Sequence, residues 1–433
     1  MNPIEIIIKK RDKHELTRDE INFMVDGYTK SKIPDYQFSS FLMAIYANGM
    51  SIRETADLSF AMIYSGKTLD LESAGYTIDK HSTGGVGDKI TLIVIPLAAS
   101  AGLTVPTMFG RALGHTGGTH DKLESIKGFK MFLTEKQIIK QLQKIGAVMI
   151  GTSGDCAPAD KKIYALRDVT GTVESIPLIA ASIISKKFAE GTDALLMDVK
   201  TGNGAFMKSH KDARLLAKTI VSISKVMGKK TVALITDMNQ PLGHTVGNAL
   251  EVKEALDTLQ CKGPDDVTKL SLTITAHMLL LGKKAHTFTE AYTVAETHLR
   301  NGCAYRKFIE IVKSQGGNVK QIAHPYSFKK PRYIKKCKSI SKGYITNINT
   351  YEIGMIANIL GAGRLKLTDK IDSSAGIVFH KKIGDSVKKG DTLCEIHTDK
   401  KECIIEALER ISFSIQIEKK KPHAQKLILG IAK

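Results

Sequence analysis

The architecture of this chain is clearest in residues 77–124, TIDKHSTGGVGDKITLIVIPLAASAGLTVPTMFGRALGHTGGTHDKLE. A glycine-rich segment, residues 80–88, is followed directly by a helical run from about Lys89. Residues 103–108 then form a short apolar run that predicts a buried strand, and similar runs recur at 147–150, 194–199 and 232–235. Because such runs alternate with helical patterns, we expect an α/β fold with a mostly parallel central sheet.

The residues before this region read as a small all-helical unit. Thr17 to Glu20 and Ser51 to Glu54 both fit the capping box, and a third helix is expected after Pro34. Two more helical stretches, residues 158–170 and 176–190, follow the second predicted strand. Their pattern does not decide which layer they join.

A third unit is expected after residues 329–332, which read as a linker. Period-2 segments separated by Gly and Asp predict a β-rich unit, and residues 384–393, GDSVKKGDTL, resemble the turn-rich half of a biotinyl or lipoyl hammerhead. Residues 396–400, IHTDK, resemble the lipoyl attachment hairpin, which leaves a carrier role open as an alternative. That role would require a modified Lys400.

Length and composition indicate a multidomain globular protein. The 433 residues and 47.3 kDa suggest two or three domains. An excess of 63 basic over 44 acidic residues suits either a nucleic-acid binder or an enzyme of anionic substrates. The absence of Trp and an aromatic share of 6% offer few platforms for stacking bases, so we expect no nucleic-acid partner.

The sequence also predicts a cytoplasmic location without a membrane contact. The richest apolar stretch, residues 90–106, is interrupted by polar residues and proline, and the N-terminal residues do not resemble a signal peptide. The six cysteines include no C-x-x-C pair, which argues against a zinc knuckle and a disulfide framework.

The glycine-rich segment KHSTGGVGD, residues 80–88, is the strongest chemical signal. Glycines let backbone N–H groups approach an anion, and the N-terminus of the following helix favours negative charge. The segment is neither a Walker A loop nor a G-x-G-x-x-G motif. A second glycine cluster spans residues 110–124, and two such loops can converge at the carboxyl ends of parallel strands. A phosphate group between them is the predicted ligand.

These two segments resemble the signature segments of the thymidine and pyrimidine-nucleoside phosphorylase family. The resemblance covers nearly the whole chain and continues, in the same order, through APADK (157–161), YALRD (164–168), SIPL (175–178), ASIISKK (181–187), MDVK (197–200) and GNALEV (247–252).

The resemblance implies a pentosyltransferase without a redox cofactor. Inorganic phosphate would be the co-substrate and nucleophile, cleaving thymidine, deoxyuridine and uridine reversibly to the free base and a pentose 1-phosphate. It also implies a homodimer and three units: a helical, base-binding domain (1–66 and 159–190), an α/β phosphate-binding domain (75–154 and 194–328) and a hammerhead-like C-terminal α+β domain (332–433).

The resemblance further assigns site residues. The phosphate set is Lys80, Ser82, Gly84, Gly85, Thr91 and Thr119. The nucleoside set is His81, Leu113, Tyr164, Arg167, Ser182, Lys186 and Phe206, of which His81, Arg167 and Lys186 would act in catalysis, with His81 as a donor or general acid. Spacing supports two pairs independently, because Tyr164 and Arg167 (i, i+3) and Ser182 and Lys186 (i, i+4) each share a helix face.

Two positions depart from the family pattern. Phe109 stands where a phosphate-contacting serine is usual, so we expect either weaker phosphate binding or a substitute such as Thr107. Lys89 stands where a threonine would help to hold a potassium ion with Gly87, Leu242, Thr245 and Glu254. We interpret Lys89 as a replacement for that ion, paired with Glu254; a solvent-facing Lys89 is the alternative.

A different activity remains open on fold grounds. Anthranilate phosphoribosyltransferase combines a helical unit, an α/β unit and a glycine-rich phosphate loop in the same way. It needs magnesium and a pyrophosphate-bearing sugar, and its motifs match this chain less closely.

Overall fold

The computed structural model describes residues 1–112, 114–152, 156–364 and 369–433. Its helices are α1 (Pro3–Arg11), α2 (Arg18–Thr29), α3 (Asp35–Asn48), α4 (Ile52–Ile63), α5 (Ile90–Ser100), α6 (Thr119–Glu124), α7 (Glu135–Ile145), α8 (Pro158–Thr170), α9 (Ile176–Ala189), α10 (His210–Val226), α11 (Asn248–Leu259), α12 (Asp265–Leu281), α13 (Phe288–Arg300), α14 (Cys303–Ser314), α15 (Val319–Ala323), α16 (Thr350–Leu360) and α17 (Ile404–Ser414). Its strands are β1 (Ile78–Ser82), β2 (Val105–Phe109), β3 (Ala147–Gly151), β4 (Ala194–Thr201), β5 (Lys230–Asp237), β6 (Thr245–Gly247), β7 (Tyr333–Lys338), β8 (Gly343–Ile348), β9 (Gly376–Phe379), β10 (Ser386–Val387), β11 (Thr392–Thr398), β12 (Ile415–Glu418) and β13 (Ile428–Ala432).

The N-terminal unit contains four helices, one more than the sequence patterns predicted. Both predicted capping boxes form, at Thr17 and at Ser51. The additional helix, α1, begins after Asn2, whose side chain accepts a hydrogen bond from the N–H of Ile4. Its short apolar run gives a weak helical pattern, but Ile6 is buried in the core that α2, α3 and α4 share.

The α/β unit is built on parallel strands. β1, β4 and β5 pair in parallel, β13 joins β5 antiparallel, and β2 pairs with β3 in parallel. A hydrogen bond of 2.9 Å from the N–H of Ile78 to the carbonyl of Thr104 joins the two sets. The resulting order is β3-β2-β1-β4-β5-β13, which confirms the mostly parallel sheet.

The order of these strands determines where a ligand can bind. From β1 the chain moves outward through β2 to β3, then returns through α8 and α9 to β4 on the other side of β1. The carboxyl ends of β1 and β4 therefore flank a topological switch point, where the crevice of an open α/β sheet lies.

Helix α9 packs against two cores at once. Leu178 and Ala181 belong to the core of the helical unit, whereas Ile184 and Phe188 pack with strand β4 and helix α10. Helix α8 contributes Ala159 and Ile163 to the helical core. Both helices thus extend the N-terminal unit towards the carboxyl end of the sheet.

The described part of the C-terminal unit contains two small antiparallel sheets, β10-β8-β12 and β6-β9-β11-β7, covered by α16 and α17. Its boundary differs from the predicted 332–433 in two ways. β13 leaves this unit to pair with edge strand β5, and β6, from the middle of the chain, pairs with β9. Both pairings use backbone N–H and C=O groups at strand edges that would otherwise be unpaired.

Lys400 follows β11 in a turn that leads into helix α17. A lipoyl-type attachment site needs a lysine between two paired strands, so this geometry does not favour the carrier alternative. Among the described residues, none of the helices has the length and apolar character needed to cross a lipid bilayer.

Candidate active site at the carboxyl ends of β1 and β4

The glycine-rich segment begins inside strand β1 rather than in a loop. Lys80, His81 and Ser82 are the last three residues of β1. The backbone then turns at Gly84, which has a φ of +90°. At Gly85 a Cβ atom would lie 2.7 Å from Cδ of Lys200 and 2.7 Å from Cε of Met238, so glycine lets both side chains pack against the loop.

The loop is held by side chains of its own sequence. Ser82 Oγ donates to Asp88 Oδ2 at 2.6 Å and accepts from the N–H of Gly84 at 3.1 Å. Neighbouring lysines, together with Ser82, outweigh the burial of Asp88 and lower the pKa of its carboxyl. A phosphate ligand of Ser82 therefore competes with an ionised Asp88 for the hydroxyl proton.

Lys80 stands apart from four other fully buried lysines, Lys89, Lys122, Lys187 and Lys200. Each of those four forms an ion pair with a carboxylate. Within the described part of the chain no such ion pair involves Lys80; its ammonium instead faces the hydroxyl of Thr91 at 3.4 Å. Burial is the largest cause that lowers the pKa of Lys80, and it outweighs the opposing charges of Asp88 and Asp198.

Lys200 is a site residue that the sequence analysis did not single out. It lies near the end of strand β4, beside β1, and its Nζ lies 2.7 Å from Asp198 Oδ2 and 3.8 Å from Asp88 Oδ2. The MDVK segment contains it, but it lies one residue beyond the apolar run 194–199 that predicted the strand, and that run gives no sign that a lysine is buried there. Its ion pairs connect strand β4 to the glycine-rich segment.

The second glycine cluster faces the first. His115 Nε2 lies 3.0 Å from the carbonyl oxygen of Gly204, and the ring of Phe206 lies 5.3 Å from that of His115. A Cβ on Gly84 would lie 3.7 Å from Phe206, so Phe206 borders the loop. Thr119 is the first residue of α6. Leu113 lies outside the described residues.

Helices α8 and α9 supply the predicted base-side residues. Lys186 Nζ donates to Ser182 Oγ at 2.8 Å and to Asp160 Oδ2 at 2.5 Å. The predicted i, i+4 pair is therefore in direct contact, and Asp160 of α8 joins it. Lys186 keeps 28% of its side chain exposed, whereas Asp160 and Ser182 are buried. This is a polar group at the edge of a crevice.

The structure gives Arg167 a different set of contacts from those expected. Its guanidinium donates to the carbonyl oxygens of Thr172, Val173 and Leu178, which lie in the α8–α9 connection and the first turn of α9. Tyr164 is partly exposed, with its ring centre 5.7 Å from the guanidinium carbon of Arg167. Arg167 thus organises the α8–α9 turn, and a ligand would have to use its remaining N–H groups.

His81 lies where the two sets of residues meet. Burial is the largest cause that holds its pKa well below the ordinary value, followed by the charges of Lys187, Lys186 and Lys80. The imidazole is therefore uncharged at neutral pH, and it can donate through one ring N–H. This disfavours the protonated form that would suit a general acid.

The hydroxyl missing at Phe109 is not replaced by Thr107. Phe109 is buried in the main hydrophobic core, and Thr107 Oγ1 donates its proton to Asp79 Oδ1 at 2.6 Å. Thr107 is itself fully buried. The suggestion that Thr107 serves as a substitute phosphate donor is therefore wrong for this arrangement.

Lys89 is enclosed by oxygen atoms. Its Nζ donates to the carbonyl oxygens of Leu242 (2.8 Å) and Thr245 (2.9 Å) and to the carboxylate of Glu254. The carbonyl of Gly87 accepts from the backbone N–H of Lys89. Since the side chain is fully buried, the solvent-facing alternative is wrong. The ammonium lies among the oxygens implied as potassium ligands, so these residues do not fit an additional cation.

The fold and this site define a glycosyltransferase with a helical bundle and an α/β domain. Residues 4–66 match the glycosyl transferase family helical bundle domain, and residues 74–305 match the glycosyl transferase family a/b domain. Anthranilate phosphoribosyltransferase from Thermus thermophilus shares the fold with a TM-score of 0.60, covering 72% of this chain and 99% of its own. Its sequence identity is 15%, so this likeness shows the fold alone.

Two sequence comparisons narrow the class. Residues 344–418 match the pyrimidine nucleoside phosphorylase C-terminal domain. The pyrimidine-nucleoside phosphorylase of Staphylococcus haemolyticus is 49% identical over 419 residues, 96% of each chain, and that of Geobacillus stearothermophilus is 48% identical over 403 residues, 93% of each. The chain belongs to the pyrimidine-nucleoside phosphorylase family.

Proposed function

We propose that this protein catalyses the reversible phosphorolysis of pyrimidine nucleosides. Inorganic phosphate attacks the anomeric carbon of thymidine, deoxyuridine or uridine, and the products are the free base and a pentose 1-phosphate. The observation that carries the proposal is the meeting of two half-sites at His81. One carries the ammonium of Lys80, which forms no ion pair with a described residue, and the other carries the Ser182–Lys186 pair.

On the phosphate side, Lys80 is the central residue. A buried ammonium without a carboxylate partner attracts an oxyanion more strongly than one already neutralised. The hydroxyls of Thr91 and Ser82 lie beside it, and we assign Gly84, Gly85 and Thr119 to the same pocket. Lys200 and Lys122 are paired with carboxylates behind the loop and support its position.

On the base side, Lys186 stabilises the departing pyrimidine. Negative charge develops on the ring as the glycosidic bond breaks, so a cation already in place lowers the barrier more than it strengthens ground-state binding. Asp160 and Ser182 hold the ammonium at the crevice edge. Neutral His81 donates a hydrogen bond to a ring carbonyl, and we assign Tyr164, Arg167 and Phe206 to the walls of this pocket.

We further propose that no potassium ion takes part. The ammonium of Lys89 supplies one positive charge to the same oxygens, and a second cation beside it would be repelled. Inorganic phosphate is then the co-substrate, and no other cofactor is assigned.

We also propose a homodimer that works in the cytoplasm. Within the described residues, Cys261, Cys303, Cys337, Cys394 and Cys403 are free thiols, which is the usual state in a reducing compartment. Apolar side chains on α1 and α3 are exposed and suit contact with a second copy; they are Ile4, Ile8, Tyr36, Met43 and Tyr46.

A substrate panel tests the proposal. The purified protein is incubated with thymidine, uridine or inosine, each with and without phosphate, and free base is separated chromatographically. We expect phosphate-dependent release from thymidine and uridine and none from inosine. Release without phosphate would indicate hydrolysis and contradict the proposal, and release from thymidine alone would restrict the substrate range.

A further inference from the structure

A cluster of three buried charged side chains lies on the His81 side of strand β1. The cluster comprises Asp79 of β1 and two residues from the end of α9, Lys187 and Glu190. Their side chains are between 0% and 2% exposed. Side chains two residues apart on a strand point to the same face, so Asp79 and His81 share one face of β1.

Lys187 is the centre of this cluster. Its Nζ donates to Asp79 Oδ2 at 2.8 Å, to Glu190 Oε2 at 3.0 Å and to the carbonyl oxygen of Met108 at 2.5 Å. The other oxygen of Asp79 accepts from the Thr107 hydroxyl at 2.6 Å and from the N–H of Lys80 at 2.7 Å. The ammonium and the Asp79 carboxylate are therefore both fully coordinated.

Two members of the cluster, Glu190 and Lys187, keep their protons at neutral pH. Burial raises the pKa of Glu190 to about 8, so Glu190 keeps its proton at neutral pH. Burial alone would lower the pKa of Lys187, but the pKa is raised, and Asp79 is the largest cause that opposes burial. At neutral pH the cluster thus holds a charged Lys187 and a protonated Glu190.

The cluster replaces backbone pairing at the point where β1 and β2 separate. Nearer the start of the strands, the N–H of Ile78 donates to the carbonyl of Thr104. Further along, the N–H of Lys80 donates to the carboxylate of Asp79, and the carbonyl of Met108 accepts a hydrogen bond from the ammonium of Lys187. A side chain of α9 therefore ties together the ends of two strands.

We propose that Lys187 is a positioning residue for the reaction: through Asp79 it fixes the end of β1, which carries Lys80 and His81, and it joins that strand to the helix that carries Ser182 and Lys186. The inference rests on the proposed function for the roles of these four residues. Lys187 itself contacts protein atoms and reaches the substrates only through them.

The charge of Lys187 also affects the protonation of His81. Three ammonium groups, on Lys80, Lys186 and Lys187, disfavour protonation of His81, whereas Asp88 favours it. Asp79 lies on the same face of β1. Removal of the charge on Lys187 would leave the Asp79 carboxylate without its cation, so His81 would take up a proton at higher pH.

Two variants and a matched control test this. Lys187→Met removes both the charge and the donors, and Lys187→Gln removes the charge but keeps a donor. Lys10→Met is the control, because Lys10 is also a buried lysine, paired with Glu54 at 2.9 Å in the helical unit. Titration of His81 is followed by NMR of histidine labelled with ¹³C at Cε1, and His81→Asn assigns the signal.

We expect the His81 midpoint to rise by about one pH unit in both Lys187 variants and to stay unchanged in Lys10→Met. In Lys187→Met, kcat should also fall by roughly tenfold or more, because the end of β1 is no longer held in place. Lys10→Met should lower the melting temperature while kcat stays within about twofold of the parent value.

An unchanged His81 midpoint in a folded Lys187 variant would overturn the proposal, and so would an equal loss of kcat in Lys10→Met. Circular dichroism establishes whether each variant is folded. If Lys187→Met does not fold, the His81 titration is measured in Lys187→Gln alone. The titration needs no turnover, so it decides this proposal even if the protein fails to cleave nucleosides.

Discussion

At the scale of single residues, the electrostatics of this site are set by buried lysines and by their partners. Lys89, Lys187 and Lys200 are each neutralised by a carboxylate, so they contribute to structure. Lys80 has no such partner among the described ion pairs and remains available for an anion. Whether a buried lysine is paired depends on contacts between segments that are far apart in the sequence. The positions of the lysines along the chain therefore do not predict which of them is available to an anion.

Phe109 provides the first residue-scale prediction. Phe109→Ser restores a hydroxyl at the position where the family usually has one, so we expect a lower apparent KM for phosphate. Both Phe109→Ser and its control Phe109→Ala leave a cavity in the main core, and each should lose about 3–5 kcal/mol of stability. Phosphate saturation curves at a temperature where both variants are folded are compared with the parent protein.

Because Ser and Ala leave similar cavities, a difference in KM between them isolates the hydroxyl. An unchanged or higher KM in Phe109→Ser would contradict the prediction.

Lys89 provides the second residue-scale prediction, which concerns monovalent cations. The parent protein should be equally active in potassium, sodium and choline salts. Lys89→Thr leaves the buried carboxylate of Glu254 without a cation, so it should lose about 3–5 kcal/mol of stability. We expect potassium, but not choline, to restore the stability of Lys89→Thr. Lys89→Met, which offers no oxygen ligand, should respond much less to potassium, and a parent protein that requires potassium would refute the account.

At the scale of helices and strands, patterns with clear periodicity were predictable. The capping boxes of α2 and α4, helix α8 with Pro158 at its first position, and the apolar strands β2, β3, β4 and β5 all form as expected. Strand β1 was not predicted as a strand. Four of its five residues, Asp79 to Ser82, are polar because they belong to the site. The strand therefore lacks the apolar pattern that predicts a buried strand.

Glu190, at the end of α9, gives a prediction about pH. Its pKa is about 8 in the folded protein because of burial, well above its ordinary value of 4.5, so the folded state holds a proton that the unfolded state releases. Stability should therefore fall as pH rises from about 5 to 8, by up to about 1.4 kcal/mol per pH unit from this group.

Urea unfolding at pH 5, 6, 7 and 8 measures this slope. Glu190→Gln mimics the protonated form and should lose less stability across the series than the parent protein. The control Glu406→Gln removes an exposed carboxylate from α17 and should keep the parent slope. Parallel curves for the parent protein and Glu190→Gln would contradict the assignment.

For the whole molecule, the sequence predicted three units but did not predict the strand pairings and hydrogen bonds between them. β13 returns from the C-terminal end to β5, β6 joins the C-terminal sheet, and Lys382 of the C-terminal unit donates to the carbonyl of Gly243 at 2.6 Å. Such pairings between distant segments leave no periodic signal. They tie the C-terminal unit to the loop that surrounds Lys89.

The oligomeric state is the prediction at this scale. Light scattering coupled to size exclusion should give twice the chain mass of 47.3 kDa. Tyr46→Glu, which places a charge among the exposed apolar residues of α3, should shift the protein towards the monomer. Tyr326→Glu, at a tyrosine that is 71% exposed outside this surface, should not. A monomeric parent protein, or equal masses for both variants, would contradict the proposed interface.

In the proposed reaction phosphate itself is the nucleophile, so ³¹P NMR of the protein with thymidine and inorganic phosphate follows the reacting group. We expect the phosphate signal to decrease as a sugar 1-phosphate signal grows, with one thymine released per phosphate consumed, and Lys80→Met to abolish the conversion. Thymine release with an unchanged phosphate signal would show hydrolysis and contradict the account.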